Sequence, residues 1–374
     1  ASVGVSVPGD RALVASPAGG GDGDLYGDGD LELQPRRRSP VGFALAGLTA
    51  GLGYVLVVLL YQLHYDSPLP VPNQVIPIVA AVILGGLALG ERPWTPPANP
   101  DVRAAKRGRL APLAVLPAVL LLAPVLMLAT TPAPVEFTGQ GDSFRMVSWN
   151  LHYFRDSEGA IDADAIAAAI EKQRPDVVLL QEVGRGWPIG GGLDGAEWLS
   201  RRLAMPYVYA PAADEQFGNL ILSRIRILDA EYGELPQGES TMRRSYASAT
   251  LELPNGRTVR MIDVHLAHRE QDTPTRLAQV KTLLDGWDGD APAVIAGDFN
   301  AVPGSKEIVP VGEAGLVSAQ DTTGHSGLLT VPTERPARRI DWIFATPDVS
   351  FSEFVRPDVR TSDHFPLAVT VTLG

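Results

Sequence analysis

Apolar and polar positions divide the chain into two parts. Residues 41–63, 69–90 and 110–129 contain no charged side chain, whereas charged and apolar residues are interspersed from residue 144 onward. A helix of about 20 apolar residues can cross the hydrocarbon core of a bilayer, so the uncharged segments predict three transmembrane helices. A buried helical hairpin of a soluble protein is the alternative, which is disfavoured because such helices seldom lack a polar face over this length.

Flanking cations predict the orientation of these helices. Arginines occupy positions 36–38 and five basic residues lie between 92 and 109, whereas residues 64–68 contain no Lys or Arg. Because basic loops remain in the cytoplasm, we expect a multi-pass membrane protein whose chain after residue 130 is extracytoplasmic. Residues 1–40, rich in Gly and Asp, are typical of disorder, and residues 131–143 of an extended linker.

The C-terminal pattern predicts a layered α/β domain over residues 144–374. Strand-like segments such as FRMVSWNL, DVVLLQEV and APAVIAGDFN alternate with helix-like segments over residues 161–173 and 274–287. Asn255 and Gly256, between two further strand-like segments, are typical of a two-residue hairpin turn. We expect a four-layer α/β sandwich of two packed mixed β-sheets flanked by helices, preceded by the transmembrane α-helices.

Composition limits the chemistry. The chain has no cysteine, which excludes thiolate catalysis and cysteine-ligated zinc, so a metal site must use oxygen and imidazole ligands. The net charge is −12, and nearly all of it lies after residue 140. Proteins that bind nucleic acid through its phosphates carry a basic surface. Strong duplex binding is therefore disfavoured.

Polar residues gather where the predicted strands begin or end. Strand ends of a layered α/β fold converge on one crevice. Oxygen ligands suit Mg²⁺, while carboxylates and imidazoles can activate a water and neutralise charge on phosphorus. The set comprises Asn150, Glu182, His265, Asp298, Asn300, Asp341, Asp363 and His364.

Seven short motifs strengthen this interpretation because of their order. They are SWNLH, LLQEV, GNLILSR, VHLAH, GDFNAVP, RIDWIF and SDHFPL. Each motif is weak alone, but together, in this order and spacing, they resemble the endonuclease/exonuclease/phosphatase superfamily. The resemblance covers residues 144–374 and implies a divalent-metal-dependent phosphoesterase.

The resemblance also implies a metal site. Glu182 is similar to the principal Mg²⁺ ligand of that superfamily, with Asn150 beside it holding metal or phosphate and Asp363 as a further carboxylate. Mn²⁺ is the alternative ion. A solvated carboxylate at a strand end is the alternative for Glu182, but its position directly after the apolar run VVLL favours the ligand.

Catalytic roles follow from the same resemblance. Asp298 is similar to the residue that orients or deprotonates the attacking water, and Asn300 to the one that hydrogen-bonds the phosphate. His364 resembles the histidine that contacts the scissile phosphate, and Asp341 the carboxylate that orients its ring. His265 resembles a second histidine that protonates or stabilises the leaving oxygen.

Other polar residues are less specific. Asn219 of GNLILSR and Arg276 join Asn150 as expected substrate contacts, although a structural role for Arg276 is equally compatible with its position. The group of Arg243, Arg244 and Tyr246 can grip a phosphate or be solvated. His268 and His152 are the last residues of two of the motifs, and surface or structural positions suit them equally.

We therefore expect a membrane-anchored hydrolase of a phosphodiester or phosphomonoester in a lipid, glycolipid or envelope component, because tethering concentrates the enzyme near a lipid headgroup. A membrane-tethered extracytoplasmic nuclease is the alternative enzyme. A non-catalytic binding module is the alternative of another class; the complete set of motif residues speaks against it.

Overall fold

The computed structural model describes residues 40–66, 69–72, 75–89, 135, 137, 139, 141–290 and 292–374. Two helices precede the C-terminal domain: α1 (Pro40–Asp66) and α2 (Val75–Leu89). Most of α1 and all but the end of α2 fall in one compact unit, and residues 141–374 fall in a second.

In the described part of the chain, no expected transmembrane helix is found. Among the helices of the described ranges, none has both the length and the apolar character needed to cross a bilayer. α2 has 15 residues, fewer than the about 20 that a span requires. The third expected span, residues 110–129, lies outside the described residues, as do residues 1–39 and most of the expected linker.

Two six-stranded sheets form the C-terminal domain. The first sheet contains, in spatial order, β11 (Val349–Val355), β12 (Leu367–Leu373), β1 (Ser143–Asn150), β2 (Val177–Gly184), β4 (Phe217–Ser223) and β3 (Tyr207–Pro211). The second contains β5 (Arg226–Leu235), β6 (Arg244–Glu252), β7 (Thr258–His265), β8 (Ala293–Asp298), β10 (Asp341–Ala345) and β9 (Val317–Ser318). In each sheet one pair is parallel, β1 with β2 and β7 with β8, and the other pairs are antiparallel.

Helices cover the outer faces of the two sheets. α3 (Ala163–Lys172) and α4 (Gly195–Leu203) pack on the first sheet, and α5 (Thr273–Trp287) packs on the second. Two short helices follow, α6 (Val309–Glu313) and α7 (Ala319–Thr322). Asp162 and Asp194 cap α3 and α4 by accepting backbone N–H groups of the first turn, which the helix itself leaves without a partner.

Apolar side chains fill the three spaces between these four layers. Each strand alternates its side chains between its two faces, so Met146 and Leu179 point to the space between the sheets, while Val147 and Leu180 pack under α3 and α4. Full burial of such a side chain contributes about 1.5–3 kcal/mol. The expected sandwich of two packed mixed sheets flanked by helices is confirmed.

Several elements lie outside the sequence prediction. β5 escapes the pattern because it is an edge strand whose residues are mostly exposed, so no buried face marks it. β3 and α4 are short. The helix expected over residues 161–173 begins only at Ala163, because Asp162 has non-helical backbone angles and serves as its cap.

A polar pair joins the two sheets inside the apolar core. Gln181 of β2 donates from Nε2 to Oδ1 of Asp263 on β7 at 2.5 Å, and both residues are fully buried. In the described part of the chain, Gln181 Oε1 and Asp263 Oδ2 have no hydrogen-bond partner. Burial raises the pKa of Asp263 well above 3.8. A proton on Asp263 would supply the donor that this pair lacks.

Replacing Asp263 with Asn should therefore stabilise the fold at high pH. A group whose folded pKa is raised stabilises the fold fully below its unfolded pKa, here 3.8, and this contribution is lost as pH rises. Each unit of the rise costs about 1.4 kcal/mol at high pH. Urea unfolding of Asp263→Asn and wild type should show a difference that grows from pH 4 upward.

Asp229→Asn is the matched control, because Asp229 is exposed on the edge strand β5 and should give no pH-dependent difference. A difference between Asp263→Asn and wild type that stays constant from pH 4 to pH 8 would show that Asp263 is not held protonated in the fold.

Candidate active site

Strand ends from both sheets meet at one edge. β1 runs parallel to β2, and β7 to β8, so the carboxyl ends of each pair lie together. Strand pairing places Asp298 between His265 and Asp341, which are its partners on the two sides. A hydrogen bond of 3.0 Å from Asn150 Nδ2 to Asp298 Oδ2 links the first sheet to the second. The residues expected at strand ends therefore converge.

Asp298 is the centre of this cluster. Its side chain is 2% exposed, and its Oδ2 atom lies 3.5 Å from His265 Nε2 and 3.8 Å from His364 Nε2. The backbone N–H of Asn300 donates to Asp298 Oδ1 at 2.8 Å. Burial raises the pKa of Asp298 to about 7; the charge of Asp341 adds to the rise and His364 opposes it. A carboxylate with a pKa near neutrality suits a general base.

Local backbone features fix this end of β8. Gly297 has a φ of +138°, and a Cβ there would lie 2.0 Å from the carbonyl oxygen of Val264 on the neighbouring strand, so only glycine fits. Asn300 has a φ of +48° and donates from Nδ2 to the Leu266 carbonyl at 3.1 Å. The motif GDFN is thus a strand end followed by a left-handed turn, which directs Asp298 into the site.

His364 and Asp341 form a buried ion pair. His364 Nδ1 lies 2.9 Å from both carboxylate oxygens of Asp341. Burial alone would lower the pKa of His364, but Asp341 and Asp298 raise it to about 10. The imidazole is therefore positively charged at neutral pH. The expected pairing of Asp341 with His364 is present in the structure.

The backbone around His364 is also anchored. Trp149 Nε1 donates to the His364 carbonyl at 2.8 Å. Ser362 Oγ accepts from the His364 N–H at 3.2 Å and donates to the Asn150 carbonyl at 2.7 Å. These bonds tie the segment before β12 to β1, which lies beside it in the first sheet.

Glu182 occupies an unusual backbone position. The pairing of β2 with β4 shifts register between Leu180 and Val183, and Glu182 in this bulge has a φ of +57°. A left-handed conformation at a residue other than glycine is strained and concentrates at functional sites. The bulge turns the side chain toward the site, where Glu182 Oε1 lies 3.8 Å from His265 Nε2.

The surroundings of Glu182 suit a divalent cation. Burial raises the pKa of Glu182, with Asp363 adding to the rise and His152 opposing it. Glu182 Oε2 is buried without a hydrogen-bond partner in the described part of the chain. A hard cation would satisfy this oxygen and offset the crowded negative charge. Glu182 therefore fits the expected metal site.

A second group also has metal-ligand spacing. One ligand atom each from Asp298, Asp341 and His364 lies within 4.8 Å of the others. Metal ligation requires a deprotonated imidazole, whereas His364 is held positive by its pairing with Asp341. We therefore favour the side of the site that carries Glu182.

The other expected metal ligands are already engaged. Asn150 donates to Asp298, and its Oδ1 atom accepts the backbone N–H of His152 at 3.0 Å. Asp363 Oδ1 lies 3.7 Å from His152 Nδ1, and both side chains are about one-third exposed. An amide oxygen and a carboxylate can each accept a further ligand, so both residues remain candidates beside Glu182.

Two residues expected to contact substrate, Asn219 and Arg276, make hydrogen bonds within the fold. Asn219 Nδ2 donates to the Ser245 carbonyl at 2.7 Å, which connects β4 to β6 in the opposite sheet. Arg276 is 6% exposed, and its guanidinium donates to Glu307 at 2.9 Å and to the carbonyls of Ala267 and Arg269 at 3.1 and 2.6 Å. Arg276 therefore holds the loop after His265.

Arg244 belongs to the basic and aromatic group of the sequence and lies outside the principal set of candidates. It begins β6, is 3% exposed and lies beside His265. Burial, followed by the charge of Arg244, lowers the pKa of His265 well below 6.5. Arg243 next to it is exposed. The sequence shows two adjacent arginines and carries no signal that tells the buried one from the solvated one.

Comparison with known proteins gives relatives across this domain. Residues 147–364 match the Endonuclease/Exonuclease/phosphatase family. Tyrosyl-DNA phosphodiesterase 2 of Xenopus laevis is 25% identical over 162 residues, which are 42% of this chain and 41% of that protein. The chain thus covers less than half of that relative. Protein YbhP of Escherichia coli strain K12, which is uncharacterised, is 24% identical over 249 residues, or 62% of this chain and 97% of that protein.

Solved structures share the fold. An endonuclease/exonuclease/phosphatase from Beutenbergia cavernae superimposes with a TM-score of 0.54 at 24% identity, covering 62% of this chain and 72% of that one. The D. rerio TDP2 structure with a single-strand DNA product gives a TM-score of 0.51 at 20% identity, covering 62% and 99%. Because the sequence match spans more than half of its residues, the chain belongs to the Endonuclease/Exonuclease/phosphatase family.

Proposed function

We propose that the chain is a divalent-metal-dependent phosphoester hydrolase. The observation that carries this proposal is the convergence of Asp298, the His364–Asp341 pair and Glu182 at one edge of the two sheets. This arrangement provides a proton acceptor, a buried positive charge and an oxygen ligand for a cation, which are what hydrolysis of a phosphoester requires.

Asp298 acts as the base in this proposal. Its pKa of about 7 lets it accept a proton from a water while that water's oxygen forms a bond to phosphorus and the bond to the leaving oxygen breaks. The hydrogen bonds from Asn150 and Asn300 leave Asp298 in one orientation. The base is therefore positioned before substrate arrives.

His364 supplies fixed positive charge. Its Nδ1–H points to Asp341, so its Nε2–H is the donor available to a phosphoryl oxygen on the side of Asp298. A donor already oriented in a buried site stabilises the charge that develops on phosphorus without reorganising. Mg²⁺ or Mn²⁺ held by Glu182, with Asn150 and Asp363 as further candidates, would add Lewis-acid polarisation of the phosphate.

A lipid phosphoester is the substrate that we propose within this class. α1 exposes Leu45 at 58%, Leu52 at 61% and Leu59 at 60%, and an apolar surface of this extent is typical of contact with lipid or with a partner. The net charge of −12 opposes binding to a nucleic acid. Membrane attachment and an extracytoplasmic location remain predictions. A nuclease is the second candidate, supported by the fold shared with the DNA-bound TDP2 structure.

Loss of the His364–Asp341 pair should strongly reduce turnover while the domain stays folded. His364→Ala and Asp341→Asn should each lower turnover roughly 10²- to 10³-fold, and the double variant should be little worse, because the two residues act as one unit. Turnover and thermal unfolding should be measured on the same preparations. His325→Ala is the control, because His325 packs against Phe354 away from the pair.

Near-normal turnover of folded His364→Ala would remove this active-site assignment. Multiplicative losses in the double variant would show that the two residues act separately. If Asp341 only anchors β10, Asp341→Asn should lower the melting temperature and leave the turnover of the folded fraction unchanged.

Metal activation should depend on Glu182. Chelation by EDTA should stop turnover, and Mg²⁺ or Mn²⁺ should restore it. Glu182→Gln should weaken Mn²⁺ binding about 10- to 100-fold, because an amide is a poorer ligand than a carboxylate. Electron paramagnetic resonance of bound Mn²⁺ measures this affinity independently of catalytic turnover. Glu313→Gln, at an exposed position of α6, should bind as wild type does, and unchanged Mn²⁺ affinity in Glu182→Gln would place the ion elsewhere.

The substrate preference can be tested directly on the full chain. With Mg²⁺ present, phospholipid vesicles should be hydrolysed faster than single-stranded DNA at the same salt concentration, and the DNA reaction should fall further as salt is raised. Faster cleavage of DNA than of phospholipid would favour the nuclease and remove the lipid proposal, leaving the phosphoesterase assignment intact.

A further inference from the structure

Arg244 contacts two histidines, and the proposed chemistry assigns it no role. Its Nη1 atom lies 3.1 Å from Nδ1 of His265, and its Nη2 atom lies 3.2 Å from Nδ1 of His268. One buried guanidinium therefore bridges two imidazoles. It also lies over the ring of Phe217, 5.7 Å from the ring centre, which limits its movement on that side.

The direction of these hydrogen bonds determines the state of His265. Arginine has N–H donors and no acceptor. Nδ1 of His265 must therefore accept, so the hydrogen of a neutral ring sits on Nε2. We infer that Arg244 is a positioning residue that fixes His265 as a neutral Nε2–H donor to a phosphoryl oxygen. In this arrangement His265 stabilises the phosphate by hydrogen bonding and keeps its own proton throughout the reaction.

The Nε2 atom of His265 is placed for this task. It is buried and has no hydrogen-bond partner in the described part of the chain, with Asp298 Oδ2 at 3.5 Å and Glu182 Oε1 at 3.8 Å. A buried N–H without a partner is costly. The atom lies between the proposed base and the proposed metal ligand, where an oxygen of the substrate phosphate would complete its hydrogen bonding.

The loop after His265 holds the second imidazole. Ala267 N–H donates to Gln279 Oε1 at 2.9 Å, and the carbonyls of Ala267 and Arg269 accept from Arg276. His268, exposed to solvent, is flanked by these anchored residues. The loop thus keeps His268 Nδ1 where it can accept from Arg244. By holding this loop, the buried Arg276 stabilises the contact between Arg244 and His268.

This inference rests on the proposed function. The resemblance implies that His265 protonates or stabilises the leaving oxygen, whereas the contact with Arg244 assigns it to hydrogen bonding of a phosphoryl oxygen. To protonate the leaving oxygen, His265 would have to begin as the doubly protonated ring and end as the neutral ring. The contact with Arg244 excludes the doubly protonated ring, because that ring has no acceptor at Nδ1. The leaving oxygen therefore receives no proton from His265.

Nitrogen NMR of the full chain labelled with ¹⁵N-histidine tests the tautomer of His265 independently of catalytic turnover. The chain has six histidines, and the His265 signals are identified by their loss in His265→Gln. At pH 7 we expect one protonated nitrogen, Nε2, and one acceptor nitrogen, Nδ1. Arg244→Met should release Nδ1 and mix the two tautomers, while Arg243→Met, at the exposed neighbour, should leave the spectrum unchanged. A protonated Nδ1 in wild type overturns the inference, even if Arg244→Met fails to fold.

Kinetics provide the second measurement. His265→Gln retains an N–H donor and should keep turnover within about tenfold of wild type, whereas His265→Ala should lose roughly 10²- to 10³-fold. The loss in His265→Ala should be equal for a nitrophenyl ester, whose leaving group needs no proton, and for an alkyl ester. A loss confined to the alkyl ester would show proton transfer by His265. If wild type hydrolyses neither ester with Mg²⁺, the proposed function fails, and the NMR result still decides the tautomer.

Discussion

Burial of negative charge at the meeting edge of the two sheets is the constraint on which the site depends. Asp298 and Asp341 are both nearly inaccessible to solvent, and adjacent buried carboxylates repel one another and lose hydration. His364 provides the positive charge that makes this arrangement tolerable, because Asp341 and Asp298 raise its pKa against the effect of burial. Burial raises the pKa of Asp298 to about 7, with His364 opposing the rise and Asp341 adding to it. Burial and the charge of His364 thus act together on both the ion pair and the base.

The two histidines of the site are in opposite states because their Nδ1 atoms face opposite partners. His364 Nδ1 faces the carboxylate of Asp341, which favours the charged ring, and His265 Nδ1 faces the guanidinium of Arg244, which favours the neutral one. Each ring nevertheless directs its Nε2 atom toward Asp298. One donor is charged and the other is neutral, so the site can surround a phosphate without adding a second positive ring to a crowded space.

Strain and close packing accompany this arrangement. Glu182 and Asn300 have left-handed backbones, a conformation that costs a residue other than glycine about 1 kcal/mol or more. Glu182 lies in the bulge of β2 and Asn300 directly follows β8, and the apolar side chains of both strands fill the core. The packed strands hold both backbone segments in place, and hydrogen bonds from Gln181 to Asp263 and from Asn219 to the Ser245 carbonyl link the two sheets.

Sequence alone identified the candidate residues of the proposed chemistry. Strand periodicity and motif order placed Asn150, Glu182, Asp298 and His364 at strand ends, and the structure brings these together because strand pairing carries such ends to a common edge. Tertiary structure decided what each polar side chain contacts. Arg276 donates to the loop after His265, and Arg244, not Arg243, is buried against His265. The reason is that periodicity is a property of neighbours along the chain, whereas the partner of a buried cation comes from an element distant in sequence and is set only when the layers pack.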